Sequence, residues 1–103
     1  MTKEIIELIA NRFKVLSDPM RLQILNALQR REMSVMEIVA ETETSQPNVS
    51  KHLRLLQNAG LVLRRQQGNS AYYRVADESI FEMCEAVCDS LKRRAEHTVS
   101  FLS

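Results

Sequence analysis

The stretch SQPNVSKHLRLLQNAG, residues 45–60, runs without a break into LVLRRQ and AYYRVA, two segments joined by QGNS. Two periodicities meet at Gly60. Before it, Val49, Leu53 and Leu56 fall on one side of a helix that starts near Ser45 and tolerates Pro47 in its first turn. After it, segments rich in Val, Leu and Tyr flank Gly68-Asn69, a pair able to supply the positive φ angles of a tight turn. A helix stopped by glycine and continued at once by a hairpin leaves few folds open.

The upstream chain narrows them further. Residues 3–16 place Ile5, Ile6, Leu8, Ile9, Phe13 and Leu16 at helical spacing between charges. Ser17-Asp18-Pro19 then suits the opening of a second helix, with Leu22, Ile24, Leu25 and Leu28 apolar. Ser34-x-x-Glu37 has the form of a capping box for a short third helix carrying Val35, Ile38 and Val39. Beyond the hairpin, a last helix runs from Asp77 towards residue 100, with Ile80, Cys84, Val87, Cys88, Leu91, Ala95 and Thr98 on one stripe.

The order α-α-α-α-β-β-α predicts a mainly α fold with a small β-hairpin: a winged helix-turn-helix. At 103 residues the chain fits one domain, and residues 1–103 are read as such. Only two Gly and two Pro argue against sandwiches and flexible linkers. No apolar run approaches the ~18 residues of a bilayer span, and charges interrupt the N-terminal segment, so a soluble cytoplasmic protein with no membrane partner is expected. In that reducing compartment the two cysteines start as free thiols.

Charge is unevenly placed. Net charge is +1, yet residues 44–76 hold Lys51, Arg54, Arg64, Arg65 and Arg74 with no Asp or Glu, giving +5 there and −4 elsewhere. A helix in the major groove presents its leading residues to base edges, while cations and amides nearby hold phosphates. Ser45, Gln46 and Asn48 sit at that leading end; Gln46 and Asn48 can make paired hydrogen bonds to adenine, at ~1–3 kcal/mol of discrimination each. Ser50, Lys51 and Arg54 are assigned to positioning on phosphates. The wing carries Arg64, Arg65, Gln67, Asn69 and Arg74 with no opposing acid, which suits backbone or minor-groove contact. His52 is assigned to packing or phosphate contact at the helix edge. The competing reading of these charges is an ordinary solvated face.

Residues 45–75 closely resemble the ArsR/SmtB family of winged-helix repressors in the pattern S-x-x-x-V-S-x-H-L-x-x-L-x-x-A-G-L-V and in the wing that follows. FKVLSDPMRLQILNAL resembles that family's opening, so the likeness spans residues 12–76. The resemblance implies a homodimer, joined through its first and last helices, that occupies a palindromic operator in double-stranded DNA and releases it when a ligand or oxidant arrives.

The family's metal sites are largely missing. Its third-helix Cys-x-Cys corresponds to Ser34-Val35-Met36-Glu37, and its last-helix zinc positions correspond to Asp77, Ser79, Ser90 and Arg93, of which only the Asp survives. His97 is a lone imidazole, and Met33, Met36 and Met83 read as core or interface filler.

That leaves Cys84 and Cys88, which share a helical face with Cβ atoms about 5–6 Å apart. They are candidate ligands for a soft ion such as arsenite, or targets for reactive sulfur or oxidants. Direct bridging needs Cβ atoms near ~3.8 Å and would distort the helix. Alternatively they are small apolar residues of the stripe. The function expected is a repressor released through these thiols. Its alternatives are a winged-helix repressor without a small-molecule sensor and a protein-interaction module. No nucleophile-base pair, glycine-rich phosphate loop or paired catalytic carboxylates point to an enzyme.

Overall fold

The computed structural model describes residues 1–102, with side chains to residue 98. Helix α1 spans Lys3–Leu16, α2 Pro19–Leu28, α3 Val35–Thr42, α4 Gln46–Asn58 and α5 Ser79–Leu102; strands are β1 Met33–Ser34, β2 Val62–Gln67 and β3 Ser70–Val75.

Local chemistry sets most of these boundaries. The Asp18 carboxylate accepts from the amides of Met20 and Arg21 at 2.8 and 3.2 Å, capping α2 with Pro19 in its first turn. Ser34 and Glu37 form the reciprocal capping box at 3.2 and 3.1 Å. Gly60, at φ +75°, ends α4: its amide donates to the Gln57 carbonyl and that of Leu61 to the Leu56 carbonyl, the pair of bonds that closes a Schellman turn. Leu56 and Leu61 are both fully buried beside it.

The core lies where α2, α3, α4 and the sheet meet. Ile24, Ile38, Val49, Leu56 and Leu61 have no exposed surface, and Leu25, Met33, Leu53 and Val62 are nearly as enclosed. Ile80 brings the start of α5 into the same cluster. Between it and residue 98 most of α5 is exposed, as are Ile5, Ile6, Leu8 and Phe13 of α1 and Val87 and Leu91 of α5.

The structure departs from the expected order in one element. The sheet is three-stranded, β1-β3-β2, with Met33 opposite Tyr73 and Ser34 opposite Tyr72. A strand of two residues shows no alternation in sequence; β1 exists because β3 offers its free edge to the residues leading into α3. The turn differs too: Gln67 pairs with Ser70, and only Gly68 of the intervening pair has positive φ, the pattern of a type II′ turn rather than one needing Asn69 in the left-handed region.

Candidate nucleic-acid interface

The turn between α3 and α4 is short and tightly held. Glu43 closes α3 in the left-handed conformation, φ 54° and ψ 36°, and Ser45 caps α4 by accepting from the Asn48 amide at 3.2 Å. The Asn48 side-chain amide donates to Thr44 Oγ1 at 3.1 Å, which fixes that side chain against the turn and leaves Gln46 exposed beside it. Thr44 carries no signal of this role in sequence, since a four-residue side-chain bond leaves no periodic trace.

Burial separates the faces of α4. Val49, Leu53 and Leu56 point inward, while Gln46, Lys51 and Arg54 are exposed and Ser50 is half-buried. Pro47, Ser50, Lys51, Arg54 and Leu55 line an open surface depression of about 440 Å³. His52 does not join this face: it is buried at 4% exposure, with no hydrogen-bond partner for Nδ1 among the described residues. That burial suits the packing role expected for it. Burial lowers its pKa, partly offset by the Asp18 carboxylate.

In the wing, β2 is exposed from Leu63 to Gln67. Arg64 donates to Gln66 at 2.6 Å, and Gln66 in turn to the Gly68 carbonyl at 2.8 Å. Arg74 and Asn69 are exposed. The expectation that no acid opposes the wing is overturned: Arg65 donates from Nε and Nη2 to both carboxylate oxygens of Glu32, at 3.1 and 2.5 Å, and from Nη1 to Gln67 at 2.7 Å. Its guanidinium also lies 5.0 Å from the centre of the Tyr72 ring. Hydrogen bonding to Arg65 lowers the Glu32 pKa, and the same bond raises that of Arg65. Glu32 lies 33 residues away in the chain, outside the acid-free stretch, so charge counting along the sequence passes over it.

Both thiols are free; Cys84 is half-buried and Cys88 exposed. They line an apolar groove of about 320 Å³ with Phe13, Leu16, Leu22, Met83, Val87 and Leu91. Cys84 and Leu22 also wall a second cavity of about 220 Å³ that reaches Leu25, Asn26, Ile80 and Phe81. No cluster of three or more His, Cys, Asp or Glu suited to a metal occurs among the described residues. Asp77 serves α5 instead: it accepts from the Ser79 amide and hydroxyl and pairs with Arg12. His97 and Met36 are exposed, Met83 half-buried and Met33 in the core. No helix among the described residues is long and apolar enough to cross a membrane.

Known proteins place this architecture. Residues 18–63 match the sequence model of the bacterial regulatory protein, arsR family. A transcriptional repressor SmtB homolog from Synechocystis is 36% identical over 80 residues, covering 78% of this chain and 61% of that protein. The crystal structure of Mycobacterium tuberculosis Rv0081 superimposes with a TM-score of 0.82 at 31% identity, covering 95% of this chain and 99% of that one. A homodimeric winged helix-turn-helix DNA-binding domain from Mycobacterium bovis gives 0.78 at 29% identity over 94% and 93% of the two chains. The matched family and relatives are transcriptional regulators, not enzymes. With its helix-turn-helix, three-stranded wing and family-specific sequence together, the chain belongs to the ArsR family of winged-helix regulatory proteins.

Proposed function

We propose that residues 1–103 act as one DNA-binding unit that pairs with a second copy through α1 and α5, represses by occupying a palindromic operator, and lets go when Cys84 and Cys88 are modified or take up a thiophilic ion. The observation that carries the DNA-binding part is the division of α4: Val49, Leu53 and Leu56 are inside, and Gln46, Lys51 and Arg54 are offered to solvent. Gln46 and Asn48 read base edges, with the Ser45 turn at the helix entrance. Ser50, Lys51 and Arg54 position the helix on phosphates, and Arg64, Gln67, Asn69 and Arg74 bring the wing to the backbone. Arg65 joins them once it is released from Glu32, and His52 supports α4 from within.

Dimerisation is supported by the exposed Ile5, Ile6, Leu8 and Phe13 of α1 and Val87 and Leu91 of α5, an apolar surface that a second copy would cover. A two-fold protein matches a two-fold operator. The sensing role rests on both cysteines opening into one groove between α1, α2 and α5. Arsenite, reactive sulfur or an oxidant reaching that groove would meet two thiols at once. A cytoplasmic setting keeps them reduced.

The same groove favours a second reading, in which apolar neighbours make the cysteines packing residues and the repressor answers to abundance or a partner protein. One titration separates the two. Binding of the reduced protein to its own promoter DNA is followed by fluorescence anisotropy with arsenite, an organic polysulfide or peroxide, beside a Cys84→Ser/Cys88→Ser variant. Release of the unaltered protein alone by one agent identifies the sensor and its chemistry. Retention with every agent assigns the cysteines to packing. Binding that ignores salt would instead indicate a protein partner, because phosphate contacts impose a steep salt dependence.

A further inference from the structure

Arg65 is the wing cation most occupied within the protein. A guanidinium has five N–H donors, and three of those on Arg65 are taken, two by Glu32 and one by Gln67. The two-pronged geometry is the one an arginine uses on a phosphate. Tyr72, directly across the sheet from Arg65, lies under the guanidinium and holds it along the strand. Arg74 adds a second positive charge near Glu32 and has no hydrogen bond to it.

We propose that Glu32 is a specificity-determining residue: its carboxylate stands in for a DNA phosphate on Arg65, so the wing binds indiscriminate duplex weakly until a well-seated α4 makes the exchange worthwhile. This rests on the DNA-binding reading above. An arginine already neutralised by a carboxylate releases no counterion when it merely comes near DNA, and the carboxylate repels the backbone until the pair opens. Only a complex that gains base contacts through α4 offsets the cost of breaking a bidentate pair. Glu32 thus subtracts from non-specific affinity more than from specific affinity, and it does so without touching a base. The pair is well placed for exchange, since both side chains keep part of their surface in solvent, 48% for Arg65 and 28% for Glu32.

The test is binding to a random-sequence duplex between about 50 and 200 mM salt, for the unaltered protein, Glu32→Gln, Arg65→Gln and the double variant. Glutamine keeps the shape of Glu32 at a half-exposed site, and circular dichroism verifies the fold of each variant. Glu32→Gln is expected to tighten random-duplex binding about threefold or more and to steepen the slope of log K against log salt by about one, the signature of one added phosphate contact. Both changes should vanish when Arg65 is also Gln. Unchanged or weaker binding by Glu32→Gln would overturn the inference, and so would a gain that persists without Arg65. A purely structural role for the pair would leave the salt slope where it was. Failure of the unaltered protein to bind DNA in a salt-dependent way would overturn the DNA reading itself and this inference with it.

Discussion

Arg12 of α1 donates to Asp77 at 3.1 Å across 65 residues of sequence, and the other oxygen of that carboxylate caps α5 through the amide and hydroxyl of Ser79. One side chain therefore starts the last helix and ties it to the first. The two helices proposed for dimerisation are joined here before any partner arrives.

Asp77→Ala should accordingly destabilise more than Arg12→Ala, because it removes the cap as well as the ion pair. Asp77→Asn keeps a capping oxygen and should fall between Asp77→Ala and the unaltered protein. Thermal denaturation ranks the three, and amide exchange at Ser79, Ile80 and Phe81 should accelerate most in Asp77→Ala. Equal midpoints for Asp77→Ala and Arg12→Ala would mean that the cap contributes nothing.

Gln46→Ala should relax sequence preference by ~1–3 kcal/mol at one base position if its contact is bidentate. Asn48→Ala should do likewise and in addition loosen the turn, since Asn48 also donates to Thr44. Arg74→Ala should weaken every duplex to the same extent and lower the salt slope by about one. Competition binding with operator and scrambled DNA distinguishes these patterns. Uniform loss in all three variants would undo the assignment of base readers.

Gly60 sits at φ +75° with open space where a Cβ would stand, so a side chain there would meet no neighbour and suffer only from the backbone conformation. Gly60→Ala should lower stability by ~1 kcal/mol. Denaturant unfolding measures it. A much larger loss would show that the Schellman turn depends on more than φ.

His52 yields a pH dependence with a definite sign. Its folded-state pKa lies below the ordinary 6.5 because burial penalises the imidazolium. Between the lowered value and 6.5 the unfolded chain binds more protons than the folded one, so stability rises with pH through this window and levels off above it. The unfolding midpoint should thus drop as the protein is acidified from about pH 7 to pH 5, and His52→Gln should flatten that part of the profile. Parallel profiles for the two proteins would place the titration elsewhere.

Helix faces, caps and stops were readable in sequence because each is written within a turn or two of chain: Ser34 with Glu37, Ser45 before Pro47, Gly60 after Leu56. What could not be read is what distant residues do to one another. Met33 and Ser34 become a strand only because β3 passes alongside, and Glu32 faces Arg65 only once that sheet exists. His52 illustrates the limit within a helix, since a residue at the boundary between faces goes inward or outward according to what packs beside α4. The thiols show another: their shared face is dictated by spacing, but the groove they open into is built by Phe13, Leu16 and Leu22 from elsewhere.

Ser34 is at once the last residue of β1, paired with Tyr72, and the cap of α3. The wing and the first helix of the helix-turn-helix are consequently hinged to nothing between them; they share a residue. In the dimer proposed above, a signal from α5 that leaves this joint intact would carry the wing and α3 together, so what it alters would be the spacing and tilt between two heads and not the shape of either.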